Sequence, residues 1–143
     1  MQPLYFAYGS NMAARRMRER VDGAEARGRA CLDGWRFVAD KPGRDGSAKV
    51  NIVPAPGARI WGVLWELADA QLLRLDRHER GYARVAVTVR AETGPLAATT
   101  YASALRGARP VLDAGYKALI VAGAREHRLP AEWLAWLVAL PAA

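Results

Sequence analysis

Residues 60–67 set Trp61, Val63 and Trp65 against Ile60, Gly62 and Leu64, so an extended chain here is apolar on both faces. A strand of that kind belongs in the core. The other segments are judged by how they supply its neighbours.

Residues 3–8 alternate Leu4, Phe6 and Tyr8 against Tyr5 and Ala7, then stop at Gly9-Ser10-Asn11, which predicts a strand entering a tight turn. Met12, Arg15, Arg16 and Met17 begin a helical stretch to about Val21, with Ser10 or Asn11 placed to cap its first free amides. Residues 28–39 read as a second strand. Residues 40–59 carry three glycines, three prolines and mixed charge, and only 50–53 is strand-like, so a long functional loop or flap is expected. Residues 68–79 place Leu72, Leu73 and Leu75 at helical spacing. Residues 82–91 and 96–105 form a hairpin about the turn Glu92-Thr93-Gly94-Pro95, closing the sheet. A helix then runs from Asp113 through Tyr116, Leu119, Ile120 and Gly123. Pro130 opens a last one, with Trp133, Trp136, Leu137 and Leu140 on one stripe against the sheet. About six strands and four helices make an α+β domain, and with no repeat or linker residues 1–143 read as one unit.

The chain has 143 residues, 52% of them hydrophobic, enough for one core. Its single cysteine, Cys31, excludes an internal disulfide and any multi-cysteine metal cage and suits a reducing cytoplasm. No apolar run approaches the roughly 18 residues that a membrane span needs, and residues 1–10 are too short and too polar at their end for a secretory signal. A cytoplasmic protein without a membrane partner is expected. The net charge of +7 comes almost wholly from arginine. With abundant alanine and scarce lysine, that bias suits a GC-rich bacterial genome, so it is weak evidence for a nucleic-acid partner. The run Arg15, Arg16, Arg18, Arg20 is interrupted by Glu19, lacks interleaved aromatics and reads as a solvated helix face.

Two features can carry chemistry. The turn Gly9-Ser10-Asn11 joins a strand end to a helix start, where free amides can receive a carboxylate or a developing oxyanion; an ordinary capped helix is the alternative. Glu79 lies four residues after Leu75 and seven after Leu72, so a continuous helix aims its carboxylate at apolar territory, where burial raises a carboxyl pKa toward acid/base use. A helix-end glutamate paired with Arg77, Arg80 or Arg84 fits the same spacing, and Asp76 competes for the role. His78 and His127 lack metal-ligand spacing, and no metal site is readable. Serine-hydrolase elbows, phosphate loops and dinucleotide fingerprints are missing, and Cys31 sits mid-strand as packing.

Taken together, Tyr5-Phe6-Ala7-Tyr8-Gly9-Ser10-Asn11-Met12, Ile60-Trp61-Gly62-Val63-Leu64-Trp65, Leu75-Asp76-Arg77-His78-Glu79 and the stretch 116–130 with Gly123-Ala124 and Leu129-Pro130 resemble the gamma-glutamylcyclotransferase family, AIG2-like proteins included. The resemblance implies a small mixed β-barrel with flanking helices. It further implies a cofactor-free transferase or lyase that cyclises a γ-glutamyl amino acid or γ-glutamyl amine to 5-oxoproline, a reaction of glutathione metabolism among others. By the same resemblance Tyr8, Gly9, Ser10 and Asn11 cradle the glutamyl moiety, Glu79 is the catalytic acid/base, and Tyr116, with Tyr82 and Tyr101, lines the pocket. Where the family commonly has glycine directly after the glutamate, Arg80 intervenes before Gly81, which points to a different loop or to an acidic leaving group. A noncatalytic module binding a small molecule or nucleic acid, and an enzyme removing γ-glutamyl groups in a biosynthetic pathway, are the alternatives.

Overall fold

The computed structural model describes residues 2–143; Met1, part of the stretch weighed above as a signal, lies outside them. In chain order the elements are β1 (Leu4–Ala7), a single 3-10 turn (Ser10–Met12), α1 (Ala14–Arg20), β2 (Glu25–Pro42), β3 (Ala48–Glu66), α2 (Asp69–His78), β4 (Ala83–Ala91), β5 (Gly94–Ala102), α3 (Ala114–Glu126) and α4 (Ala131–Val138). The strands close into a barrel in the order β1-β3-β2-β4-β5. All pairs are antiparallel except β1 with β5, which run parallel at Tyr5 opposite Thr99, so the barrel is mixed. The doubly apolar segment 60–67 is the end of β3, paired with β1 on one side and β2 on the other. Ile60, Val63, Leu64 and Trp65 are fully buried there with Phe6 from β1.

Five strands form, not six. The expected flap at 40–59 is instead the tip and descending arm of a long hairpin: β2 continues to Pro42, β3 begins at Ala48, and only residues 43–47 turn. Of the loop signals, Gly43 and Gly46 lie in that turn and Pro42 ends β2, whereas Pro54, Pro56 and Gly57 sit at a bulge. Asp33 pairs with Arg59 but Trp35 pairs with Pro54, so two steps on β2 answer five on β3. Gly34 and Gly57 take φ of 84° and 85° at that point, where an L side chain would be strained, and the ladder resumes beyond them. Strand pairing on both sides of the bulge overrides the local breaker signal.

The first helix is also divided. Ala13 is extended at φ −71° and ψ 122° between the 3-10 turn and α1. Neither Ser10 nor Asn11 caps α1; Ala13 stands at that position and no side chain bonds there. Both residues belong to the turn itself and are buried, which keeps their side chains toward the barrel and away from the helix. Of the last stripe, Leu137 is fully buried and Trp133 half-buried against Phe37, whereas Trp136 is exposed and stacks on Trp133. Core packing therefore accounts for Leu137 and Trp133, while Trp136 meets the buried Phe37 edge-on at 5.1 Å between ring centres and leaves its outer part in solvent.

Candidate active site

A cavity of about 490 Å³ opens between the 3-10 turn, α1, the β2–β3 hairpin and the junction of α2 with β4. The segment Tyr8, Gly9, Ser10 and Asn11 lines it from one side and Glu79 with Tyr82 from another, while Tyr101 and Tyr116 come from β5 and α3. All eight residues singled out from the sequence thus face one space. Gly9 is needed for its missing side chain: a Cβ there would lie 2.7 Å from Val50 Cγ2, inside the contact distance of two carbons.

Glu79 ends α2. Its amide bonds the carbonyls of Leu75 and Asp76, while its own φ of −96° and ψ of 59° leave the helix. Leu75 is fully buried, so the helix end is anchored in the core and the Glu79 side chain, 12% exposed, is held in the cavity wall. Its Oε1 accepts from Asn11 Nδ2 at 2.6 Å, and Arg20 Nη1 lies 3.9 Å away. Burial holds the Glu79 carboxyl above the usual carboxylate range, partly offset by the Arg20 charge, the Asn11 hydrogen bond and the Lys41 ammonium.

Asn11 is fully engaged. Its amide nitrogen also donates to the Tyr5 hydroxyl at 3.0 Å, and its Oδ1 accepts from Arg20 Nη1 at 3.1 Å. That network assigns the orientation of the amide, since a flip would turn an N–H toward the guanidinium.

Asp76, the rival carboxylate, has a different environment. Arg84 grips it with two hydrogen bonds, Nη2 to Oδ2 at 2.6 Å and Nε to Oδ1 at 2.9 Å, and the Tyr101 hydroxyl donates to Oδ1. The Arg84 bonds hold its carboxyl below the usual range, the opposite direction from Glu79. None of Arg77, Arg80 and Arg84 pairs with Glu79; Arg84 is committed to Asp76, and the guanidinium beside Glu79 is that of Arg20.

The five tyrosines around the cavity divide by what their hydroxyls do. Tyr8 donates to the carbonyl of Tyr101 at 2.7 Å, Tyr82 to that of Val50 at 2.6 Å, and Tyr101 to Asp76. Tyr5 and Tyr116 act as acceptors, from Asn11 Nδ2 and from the Val50 amide at 3.1 Å, and among the described residues neither O–H has an acceptor. Burial pushes all five phenols up, so they remain protonated donors at any physiological pH.

Lining residues that the sequence does not single out as site members include Tyr5, Arg16, Arg20, Lys41, Arg44 and Lys49. Arg16 and Arg20 read as part of a solvated face, but one helical turn separates them and both line the cavity, while Arg15 and Arg18 are exposed. Their four-residue spacing directly after the glycine turn is the signal that could have found them. His78 reaches the cavity rim, and His127 packs edge-on against Trp65. Cys31 is buried in β2 as a free thiol. Among the described residues no helix is long and apolar enough to cross a membrane.

A closed barrel with one shielded carboxyl in a phenol-lined cavity is the geometry that an acid/base site for a small molecule requires. The family described as Gamma-glutamyl cyclotransferase, AIG2-like, matches residues 5–118. The gamma-glutamylcyclotransferase of Bos taurus is 30% identical over 140 residues, covering 91% of this chain and 74% of that protein. The Homo sapiens protein of the same name is 29% identical over the same shares. A solved structure titled gamma-glutamyl cyclotransferase superposes with a TM-score of 0.91 at 26% identity, over 100% of this chain and 90% of that one. This chain therefore belongs to the gamma-glutamyl cyclotransferase, AIG2-like family.

Proposed function

We propose that this protein is a γ-glutamyl cyclotransferase, converting a γ-glutamyl amino acid or amine to 5-oxoproline and the free amine, with Glu79 as its acid/base. The observation that carries the assignment is the Asn11–Glu79 hydrogen bond of 2.6 Å within the cavity wall, which sets a carboxyl of raised pKa beside the 9–11 turn. In the reaction the neutral α-amine of the glutamyl group attacks its own γ-carbonyl carbon. A nitrogen–carbon bond forms, the scissile amide bond breaks, and the proton that Glu79 takes from the attacking nitrogen goes to the leaving one.

Attack is intramolecular, so a wall that holds the substrate folded supplies much of the acceleration. Amides of the first turn, at Ser10 and Asn11, have no helical acceptor and suit the substrate's α-carboxylate. The unspent hydroxyls of Tyr5 and Tyr116 suit the oxyanion that develops on the γ-carbonyl. The single buried thiol is in keeping with a reducing cytoplasm.

The test is a mass-spectrometric assay for 5-oxoproline with γ-glutamyl amino acids, γ-glutamyl amines and glutathione, using wild type and Glu79→Gln. Product from wild type alone supports the reaction and its base. Product at equal rates from both proteins removes Glu79 from the mechanism.

A further inference from the structure

Lys41 is 5% exposed, lies in β2 next to the tip of the hairpin and lines the cavity. Burying an ammonium is unfavourable unless it is paired, and this one has no carboxylate within ion-pair distance among the described residues. Its Nζ contacts only the Pro42 carbonyl at 3.2 Å and the face of Tyr82, 4.6 Å from the ring centre. Such partners orient the charge but do not neutralise it.

Arg44 at the hairpin tip and Arg80 after α2 line the same cavity, and neither forms an ion pair among the described residues. Lys49 is already engaged, with Asp45 at 3.4 Å and over the Tyr116 ring. Arg16 and Arg20 also line the cavity, with Arg20 bonded to Asn11 of the turn expected to take the glutamyl α-carboxylate. Against these cations the lining offers one carboxyl, Glu79. A γ-glutamyl amino acid with a neutral side chain brings a single carboxylate on its leaving group, against the three cations Lys41, Arg44 and Arg80.

Building on the cyclotransferase reading, we propose that the preferred substrate has a dicarboxylic amino acid as its leaving group, and that Lys41, with Arg44 and Arg80, receives the extra carboxylate. Lys41 is then a specificity-determining residue. Its desolvated ammonium gains more from an anionic partner than a solvated one would, because little water competes for it.

The experiment compares γ-glutamyl-glutamate with its near-isostere γ-glutamyl-glutamine, reading kcat/KM from 5-oxoproline release by wild type, Lys41→Met and Lys41→Arg, with thermal melts confirming that each variant folds. Wild type should prefer the glutamate conjugate by about tenfold or more, the size of one charge-assisted contact. Lys41→Met should bring the ratio close to one, and Lys41→Arg should restore most of it. Equal kcat/KM for the two conjugates in wild type, or an undiminished preference in folded Lys41→Met, overturns the proposal. Should neither conjugate nor any other γ-glutamyl compound yield 5-oxoproline, the cyclotransferase reading falls. Calorimetric binding of the same pair to wild type and Lys41→Met then decides the charge preference alone, with equal affinities counting against it.

Discussion

The Asn11 side chain joins the 3-10 turn to the end of α2, its amide nitrogen 2.6 Å from Glu79 Oε1 while its oxygen accepts from Arg20. One neutral side chain thus fixes both the carboxyl and the guanidinium that tunes it. Neither charged group has to be desolvated without a partner.

Glu79 and Asp76 lie three residues apart but their carboxyl pKa values are moved in opposite directions, by burial in one case and by Arg84 in the other. Glu79→Gln is expected to lower kcat for 5-oxoproline formation by about 10²–10⁴-fold, the usual contribution of a positioned acid/base. Asp76→Asn should stay within about fivefold, since its partners are Arg84 and Tyr101 and its loss is mainly one of partly exposed charge pairing. Steady-state rates on one γ-glutamyl amino acid check both.

The pH profile of kcat/KM gives a second test. Glu79 must be unprotonated in the free enzyme to accept a proton, so activity should rise with pH through its pKa, which burial has raised above the ordinary glutamate value. Arg20 and Asn11 both favour the charged form. Removing either, as Arg20→Met or Asn11→Ala, raises that pKa further and moves the acidic limb to higher pH, more for Arg20, whose influence is the larger. A limb that stays in place, or moves to lower pH, contradicts the assignment.

Among the phenols, only Tyr5 and Tyr116 keep a hydroxyl hydrogen to offer. Tyr5→Phe and Tyr116→Phe should therefore reduce kcat by about 10²-fold if each supplies an oxyanion donor. Tyr82→Phe instead removes a bond to the Val50 carbonyl, and should cost roughly 1 kcal/mol in stability with little change in kcat. Chemical denaturation and turnover measured on the same three variants separate the two effects.

Gly123 in α3 is the contact point between that helix and the turn carrying Asn11. A Cβ there would come within 2.5 Å of the Ala13 nitrogen and the Met12 carbonyl carbon, both of them backbone atoms that cannot swing aside. Gly123→Ala should destabilise the fold by about 3 kcal/mol, seen as a lowered Tm, and reduce activity further by displacing Asn11.

Much of the architecture is visible in the residue pattern. The alternation in β1, the doubly apolar end of β3, the leucine spacing of α2 and the Pro130 start of α4 each correspond to an observed element. Where local signals misled, a tertiary contact prevailed. Pro54 and Gly57 read as loop, yet pairing with β2 draws them into a bulged strand. Ser10 and Asn11 read as caps, yet burial against the barrel takes both side chains away from the helix.

The candidate site divides in the same way. Periodicity after Leu72 and Leu75 singles out Glu79 but leaves Asp76 and an arginine-paired Glu79 equally plausible, because helical spacing describes one element at a time. Only the folded barrel brings Asn11, 68 residues away in the chain, into hydrogen-bond contact with Glu79, and gives Asp76 to Arg84. Lys41 stands in a segment that its composition marks as loop, and its burial exists only because β2 and β3 pair past their bulge to close over it. By itself the sequence determined the elements and the residue types that chemistry requires, since periodicity and turn chemistry are local properties. Tertiary structure alone decided which carboxyl is shielded, which hydroxyls stay free and which cations face the cavity, because desolvation and charge pairing depend on neighbours that the chain order does not contain.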